Sequence, residues 1–291
     1  MVDSLNSVIL AHHNPINLEL TLSSGQAFRW IRNGNLFEGV LGDSLVTLQD
    51  KGESIEVINW ESDTECILKH LRLYFRLDDR WEEILETLGR DTHVAEALLR
   101  YQGLRLLKQD PWETLIAFVT SSVSSIAKVS YCLEGLSQQF GRRLNFGTSA
   151  RCAFPTPYEL ARASEKELRS VGLGFRARYV KEIAGYIADS EIDLEFLQDL
   201  PYDNAKEWLM GLPGIGPKVA DCVLLYSLDK IEAFPVDRWI ERVLLNWYPA
   251  YKRRWKRDTH KWAVEYFGKY AGYAELYLFQ HIRTASKQRN S

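Results

Sequence analysis

A turn rich in glycine and proline separates two helical stretches in the segment LMGLPGIGPKVADC, Leu209–Cys222. The pattern predicts that one helix ends near Met210 and that a second begins at Pro217, since proline is favoured in a helix's first turn. Gly214 and Gly216 leave the backbone open to close approach, and free N–H groups at a helix start attract phosphate. The segment therefore predicts a helical hairpin that could hold a DNA backbone.

Two other interpretations of this turn stay open. The glycines also fit a purely structural corner between helices, with a glycine cap. A nucleotide phosphate loop is disfavoured, because the segment lacks the GxxxxGK[ST] pattern and no predicted strand precedes it.

Lys218 and Asp237 are the candidate catalytic pair. Lys218 lies near the second position of the new helix, where the positive end of the helix dipole favours the neutral, nucleophilic amine. A helix over Pro217–Leu228 runs about 18 Å, and the connection Asp229–Val236 can span about 26 Å, so the chain can return to the helix start. Asp237 then begins the helix Arg238–Trp247. Its simplest role is an N-cap, and a rigid carboxylate can also stabilise positive charge on a glycosidic carbon.

The rest of the chain predicts an α+β fold in two domains. Residues 1–103 are expected to form an antiparallel β domain with short helices, and residues 104–291 a mostly helical domain. Helical periodicity starts after Asp63, and Asp110-Pro111 is typical of a helix start. The predicted strands are Leu18–Leu22, Ala27–Arg32, Leu36–Leu41, Leu45–Leu48 and Ser54–Ile58, with a tight turn at Asn33-Gly34.

Composition and charge narrow the class of protein. The 291 residues are 46% hydrophobic and 26% charged, as in globular proteins, and no apolar stretch or N-terminal signal suggests a membrane span or secretion. Residues 1–103 hold 9 Lys+Arg against 17 Asp+Glu, whereas residues 104–291 hold 27 against 22. A bound polyanion is therefore expected on the C-terminal part. The basic, aromatic stretch Tyr251–Arg257 is interpreted as a solvated surface rather than a DNA contact.

The four cysteines, Cys66, Cys132, Cys152 and Cys222, are widely spaced and form no CxxC pair. Reduced thiols are therefore favoured over disulfides or a zinc site.

The hairpin with Lys218, followed by Pro235-Val236-Asp237, resembles the helix-hairpin-helix (HhH-GPD) glycosylase superfamily. Further segments follow the order of its 8-oxoguanine DNA glycosylase/AP lyase branch across almost the whole chain. They are Ser24–Trp30, Tyr101–Pro111, Gly172–Tyr179, Lys218–Cys222 and Tyr270–Tyr273, continuing to Phe279. The resemblance implies a bifunctional enzyme of base excision repair, in which Lys218 attacks the sugar C1′ to form a Schiff base and Asp237 assists base loss.

The resemblance also implies a pocket for the flipped base. The carbonyl of Gly25 would accept the N7 hydrogen that distinguishes 8-oxoguanine from guanine, and Cys222 and Phe279 would sandwich the base. Glu275 stands where the family often has glutamine, and its carboxylate could accept from the N1–H and 2-amino groups.

On the DNA side, the resemblance makes Phe175 a wedge in the duplex and Arg176 a contact to the orphaned base, with Gly214 and Gly216 against a phosphate. Val123 replaces a family asparagine that fills the space vacated by the flipped base, and Lys128 replaces an arginine that helps to read cytosine. The preference for an opposite cytosine is therefore expected to be relaxed. Trp239 replaces a histidine, with no predicted consequence.

The expected partner is double-stranded DNA with an oxidised purine, bound by a monomer in the cytoplasm of a prokaryote or the nucleus of a eukaryote. No cofactor is expected, although carbonyls of Met210, Leu212 and Ile215 could hold a cation. An iron–sulfur cluster is disfavoured because no cysteine follows Cys222. The alternatives are a superfamily glycosylase for another lesion, which Lys218 disfavours, and a non-catalytic DNA-binding module.

Overall fold

An antiparallel sheet forms the N-terminal part of the computed structural model, which describes residues 7–58, 63–122, 124–146, 149–254 and 258–289. Its five strands lie in the order β1-β5-β4-β3-β2. They are β1 Ser7–Ala11, β2 Ile31–Asn33, β3 Leu36–Leu41, β4 Ser44–Asp50 and β5 Ser54–Ile58. Asn33 pairs with Leu36 across a turn in which Gly34 has φ +64°, which confirms the predicted hairpin.

One face of the sheet is buried against a helix. Side chains of alternate strand residues, such as Leu48 and Val57, share a core with Ile67 and Leu71 of helix α2, Thr64–Tyr74. This helix begins at its N-cap Asp63, whose carboxylate accepts from two backbone N–H groups, as the change of period predicted. Helix α2, which leads into the second domain, therefore covers one face of the sheet.

Two of the predicted strands are wrong: of Ala27–Arg32 only Ile31 and Arg32 lie in a strand, and Leu18–Leu22 is helical. Leu18–Leu22 belongs to helix α1, Leu18–Ser23, which Asn17 caps through a bond from Leu20 N of 2.9 Å. Its buried residues, Leu18, Thr21 and Leu22, have helical spacing that was mistaken for alternation. A hairpin of β6, Arg143–Phe146, and β7, Ser149–Cys152, was not predicted and lies within the part of the chain that was expected to be mostly helical.

The helical domain packs around one large apolar core. The cap at Asp110 is confirmed, since its carboxylate accepts from Glu113 N at 2.7 Å. The α-helices after α2 are α3 Trp81–Leu88, α4 Thr92–Arg100, α5 Pro111–Ser121, α6 Ile126–Phe140, α7 Pro157–Arg162, α8 Glu165–Leu168, α9 Arg176–Asp189, α10 Tyr202–Met210, α11 Pro217–Ser227, α12 Arg238–Trp247, α13 Pro249–Arg254, α14 Thr259–Phe267 and α15 Ala271–Arg289. The predicted α+β class is confirmed, and across the described ranges no helix is both long and apolar enough to cross a membrane.

The hairpin between α10 and α11 has the predicted bounds. Gly214 has φ +77°, and a Cβ at this position would lie 2.6 Å from the Tyr179 ring, so only glycine fits the turn. The two helices are joined by a buried carboxylate, Asp221, which accepts from Tyr202 Oη at 2.5 Å and from Lys206 Nζ at 2.9 Å. This polar junction holds the hairpin as one rigid unit.

Candidate active site

Lys218 lies in the first turn of α11 and faces a cavity. Its Nζ is 3.4 Å from Ser121 Oγ and 4.9 Å from the ring centroid of Phe118, both on α5. The side chain is partly buried, and across the described residues it forms no ion pair. The hydroxyl and the aromatic ring therefore orient the Lys218 side chain, and none of the described carboxylates forms an ion pair with it.

Asp237 caps α12 and lines the same cavity. Its Oδ1 accepts from the N–H groups of Trp239 and Ile240, both at 2.8 Å. The second oxygen, Oδ2, accepts no hydrogen bond from the residues that the structure describes. The N-cap prediction is therefore confirmed, and one carboxylate oxygen is left for the cavity.

Two connected spaces surround these side chains. An inner pocket of about 60 Å³ and an outer cleft of about 420 Å³ share the same lining at their junction. Another cleft of about 430 Å³ lies behind the loop at Gln26 and contains neither Lys218 nor Asp237, so its size alone does not make it the catalytic site. The residues that line both connected spaces are Gly25, Phe118, Lys218, Asp237 and Phe279.

The inner wall carries a buried acid. Glu275 is 4% exposed, and Tyr226 Oη donates to its Oε2 at 3.4 Å. Burial raises the pKa of this carboxyl well above its usual value, and the negative charge of Asp237 raises it further, whereas Lys218 acts in the opposite direction. An uncharged carboxyl can donate one hydrogen bond and accept another.

Cys222 lines the inner pocket as a thiol. It is 3% exposed, and burial raises its pKa to about 12. The thiolate is the nucleophilic form of cysteine, so this side chain supplies an apolar wall and not a second nucleophile. Cys222 and Phe279 both line the inner pocket.

Gly25 belongs to a loop of the N-terminal part of the chain that lines the pocket. Its φ is +101°, which strains any residue other than glycine, and a Cβ there would lie 2.7 Å from Ile126 Cδ1 and displace that methyl group. The buried side chain of Gln26 fixes the loop, since it donates to Arg105 O at 2.8 Å and accepts from Leu107 N at 2.9 Å. The glycine predicted from sequence thus lies at the pocket.

The predicted DNA contacts lie outside the inner pocket. Phe175 is 56% exposed, and the Arg176 guanidinium lies 4.6 Å from its ring centroid and donates to the Ser122 carbonyl at the edge of the cleft. Lys128 Nζ lies 4.7 Å from the exposed ring of Tyr131. Gly214 and Gly216 line neither connected space, and Val123 lies outside the described residues.

Several residues of the site were missed in the sequence. Tyr226 was one of them, although it follows the predicted Lys218 and Cys222 at a spacing of four residues on one face of α11, and this spacing was a usable signal. Ser121 and Phe118 come from a different helix, and only the packing of α5 against α11 reveals them. Trp239, whose replacement of histidine had no predicted consequence, lines the outer cleft beneath the Arg242 guanidinium at 5.2 Å.

Comparison with known proteins accounts for almost the whole chain. Residues 8–115 match the 8-oxoguanine DNA glycosylase N-terminal domain, and residues 116–267 match the HhH-GPD superfamily of base excision DNA repair proteins. A probable N-glycosylase/DNA lyase of Methanothermobacter thermautotrophicus is 34% identical over 68% of this chain and 69% of its own. The N-glycosylase/DNA lyase of Saccharomyces cerevisiae is 33% identical over 76% of this chain and 65% of its own.

Solved structures give the same result. MBOgg1 in complex with a low-affinity DNA ligand superposes with a TM-score of 0.90 at 31% identity, covering 98% of this chain and 100% of that one. The 8-oxoguanine glycosylase/lyase of Clostridium acetobutylicum, bound to duplex DNA with cytosine opposite 8-oxoguanine, gives 0.89 at 31% identity, covering 98% and 99%. These matches confirm the resemblance and the enzyme class inferred from sequence. The chain belongs to the HhH-GPD superfamily of base excision DNA repair proteins, in its branch of 8-oxoguanine N-glycosylase/DNA lyases.

Proposed function

We propose that this chain removes 8-oxoguanine from duplex DNA and cleaves the resulting abasic site through an imine on Lys218. The observation that carries the proposal is the shared cavity of Lys218 and Asp237, which opens beside the loop of Gly25. The names of the relatives and neighbours support the substrate class. A damaged base would enter this cavity only after it is flipped out of the duplex, at a cost of about a few kcal/mol.

The chemistry follows from an amine beside a carboxylate. As the bond between Lys218 Nζ and C1′ forms, the bond between C1′ and N9 breaks, and the base leaves with the electron pair and takes up a proton. The nitrogen then loses one proton and its lone pair forms the C1′=N bond as the C1′–O4′ bond breaks and O4′ takes up a proton, which gives a protonated imine. Loss of a C2′ proton then expels the 3′ phosphate by β-elimination. Asp237 Oδ2 would stabilise the positive charge on the sugar during base loss.

The base pocket is proposed from its lining. The carbonyl of Gly25 would accept the N7 hydrogen of the lesion, with Cys222 and Phe279 on the two faces of the base. Glu275, held uncharged by its burial, would accept from N1–H through one oxygen and donate to O6 through the other. This differs from the ionised carboxylate expected from the sequence, and it makes Glu275 a closer analogue of the family glutamine.

Lys128 and Val123 support a relaxed reading of the opposite base. A lysine ammonium lacks the fork with which arginine contacts a base, and valine forms no side-chain hydrogen bond. Arg176 would remain as the main contact to the orphaned base, with Phe175 as the wedge. Excision opposite all four bases is expected at similar rates, and a strong preference for cytosine would contradict this proposal.

The DNA grip is proposed at the hairpin, with a phosphate on the N–H groups near Gly214 and Gly216. A cation on the carbonyls of Met210, Leu212 and Ile215 fits in part, since Leu212 O already accepts from Ile215 N at 3.3 Å and keeps one lone pair. A monomer is proposed as the active form. Size-exclusion chromatography of the protein with duplex DNA, in the presence and absence of a chelator, tests the monomer and the cation.

Borohydride trapping on a duplex with 8-oxoguanine tests the catalytic proposal. The reagent reduces the imine to a stable amine, so the wild-type protein should become covalently bound to DNA. Lys218→Gln should lose the adduct, whereas the exposed Lys166→Gln should keep it. An adduct that persists in Lys218→Gln contradicts the assignment. Absence of any adduct on a panel of lesions favours the non-catalytic module, and an adduct with another lesion alone favours a different specificity.

A further inference from the structure

A stripe of side chains on α15 faces the base pocket. Glu275, Phe279 and Arg283 are four residues apart, so they occupy one face of this helix. The first two line the inner pocket. The third continues the stripe by one helical turn, towards the loop that carries Gly25.

Arg283 holds that loop by its backbone. Its Nη1 donates to the Ser24 carbonyl at 2.8 Å and its Nη2 to the Ser23 carbonyl at 3.0 Å. The guanidinium also lies 5.8 Å from the ring centroid of Phe279. Across the described residues it forms no ion pair with a carboxylate, so its charge is directed to these carbonyls and to the ring.

The contact sets the position of Gly25. A Cβ on Gly25 would lie 3.4 Å from Arg283 Nη1, which places the guanidinium directly against this residue. On the other side of the glycine, the Gln26 side chain is fixed to Arg105 and Leu107. The Gly25 peptide is therefore held between two anchors, and its carbonyl accepts no hydrogen bond from the described residues.

We propose that Arg283 is a positioning residue for lesion recognition: its guanidinium binds the Ser23 and Ser24 carbonyls and lies beside the Phe279 ring, and it thereby fixes the distance between the Gly25 carbonyl and the stacking face of the base. The inference rests on the proposed function, since it assigns a role in reading 8-oxoguanine. Arginine suits the task because its planar fork donates in two fixed directions at once, which lysine does not.

The test compares recognition with lyase chemistry in the same variants. Affinity is measured for duplexes with 2′-fluoro-8-oxoguanosine and 2′-fluoroguanosine, which resist excision, and trapping is measured on an abasic-site duplex, which has no base to read. Arg283→Met should lower the ratio of the two affinities about tenfold, the effect of about one hydrogen bond. Trapping at the abasic site should stay within about twofold, because Lys218 and Asp237 keep their contacts.

Arg283→Lys and Arg90→Met complete the design. Lysine keeps the charge and loses the fork, so it should recover part of the discrimination. Arg90→Met is the matched control, because the exposed Arg90 guanidinium lies in the turn after α3 and, among the described residues, pairs with Glu86 of that helix. Unchanged discrimination in Arg283→Met, or in Arg283→Lys if the first variant does not fold, overturns the proposal. An equal loss of trapping also overturns it, since the role would then be structural. A wild-type protein that neither excises 8-oxoguanine nor is trapped refutes the proposed function itself.

Discussion

Replacement of Glu275 by glutamine should stabilise the empty protein, and the gain should grow with pH. In the folded chain this carboxyl is buried and faces Asp237, and both effects raise its pKa well above the usual value of 4.5. In the unfolded chain it ionises in water. Between the two pKa values the folded protein therefore holds one more proton than the unfolded chain, and stability falls as pH rises.

The magnitude follows from that one proton. The free energy of unfolding of the wild type should fall relative to Glu275→Gln by about 1.4 kcal/mol for each pH unit within this window. From pH 5 to pH 7 the difference would grow by up to about 2.7 kcal/mol. Below the unfolded value of 4.5 both states are protonated, so the pH-dependent difference should disappear. Glutamine has nearly the same shape and can also accept from Tyr226 Oη.

Thermal unfolding of both proteins across this pH range measures the effect. Glu86→Gln is the control for the removal of a negative charge, because that side chain is 77% exposed. A difference between wild type and Glu275→Gln that does not change with pH would refute the argument, since it would mean that the folded protein ionises Glu275 as readily as the unfolded chain. The proposed donor to O6 would then be lost.

Three further substitutions have definite outcomes. Gly25→Ala should cost about 1–3 kcal/mol in thermal unfolding, because alanine is strained at this backbone angle and its Cβ meets Ile126, and excision of 8-oxoguanine should fall with it. Lys206→Met should cost about 3–5 kcal/mol, because it leaves the buried Asp221 carboxylate without its cation, and a loss under about 1 kcal/mol would contradict this reading. Phe175→Ala should weaken duplex binding at every salt concentration without changing the salt slope, since the slope counts phosphate contacts and this ring is apolar; a changed slope would argue against a wedge.

Sequence predicted those parts of the site that local rules control. The hairpin, the bounds of α11 and the cap at Asp237 follow from proline, glycine and aspartate positions, and the structure agrees with each. Helix α1 was mistaken for a strand because six residues are too few to separate the two periods. Arg283 binds Ser24 and Ser23, which lie 259 and 260 positions earlier in the chain, and no local pattern encodes such a pairing.

The division at residue 103 stays a prediction. The family matches divide the chain between residues 115 and 116 instead. In the structure, the segment after Gly103 serves both parts, because Leu107 packs with the sheet while Leu104 and Leu106 belong to the helical core. A connection that is buried on both sides gives no change of composition that a sequence could reveal.

Helix α11 begins at the turn proposed to hold the phosphate and carries Lys218 within its first turn, with Cys222 one turn further along. The proposed phosphate site, the candidate nucleophile Lys218 and the pocket residue Cys222 therefore lie along one helix, with a rise of about 1.5 Å per residue. If a phosphate binds at that turn, the rigid helix would fix the distance from the phosphate to the amine, so a duplex shifted by one nucleotide would present a different sugar to Lys218. The choice of the target nucleoside would then depend on the rigidity of this eleven-residue helix. The hydrogen bonds of Asp221 with Tyr202 and Lys206 join the helix to α10 and oppose its tilting.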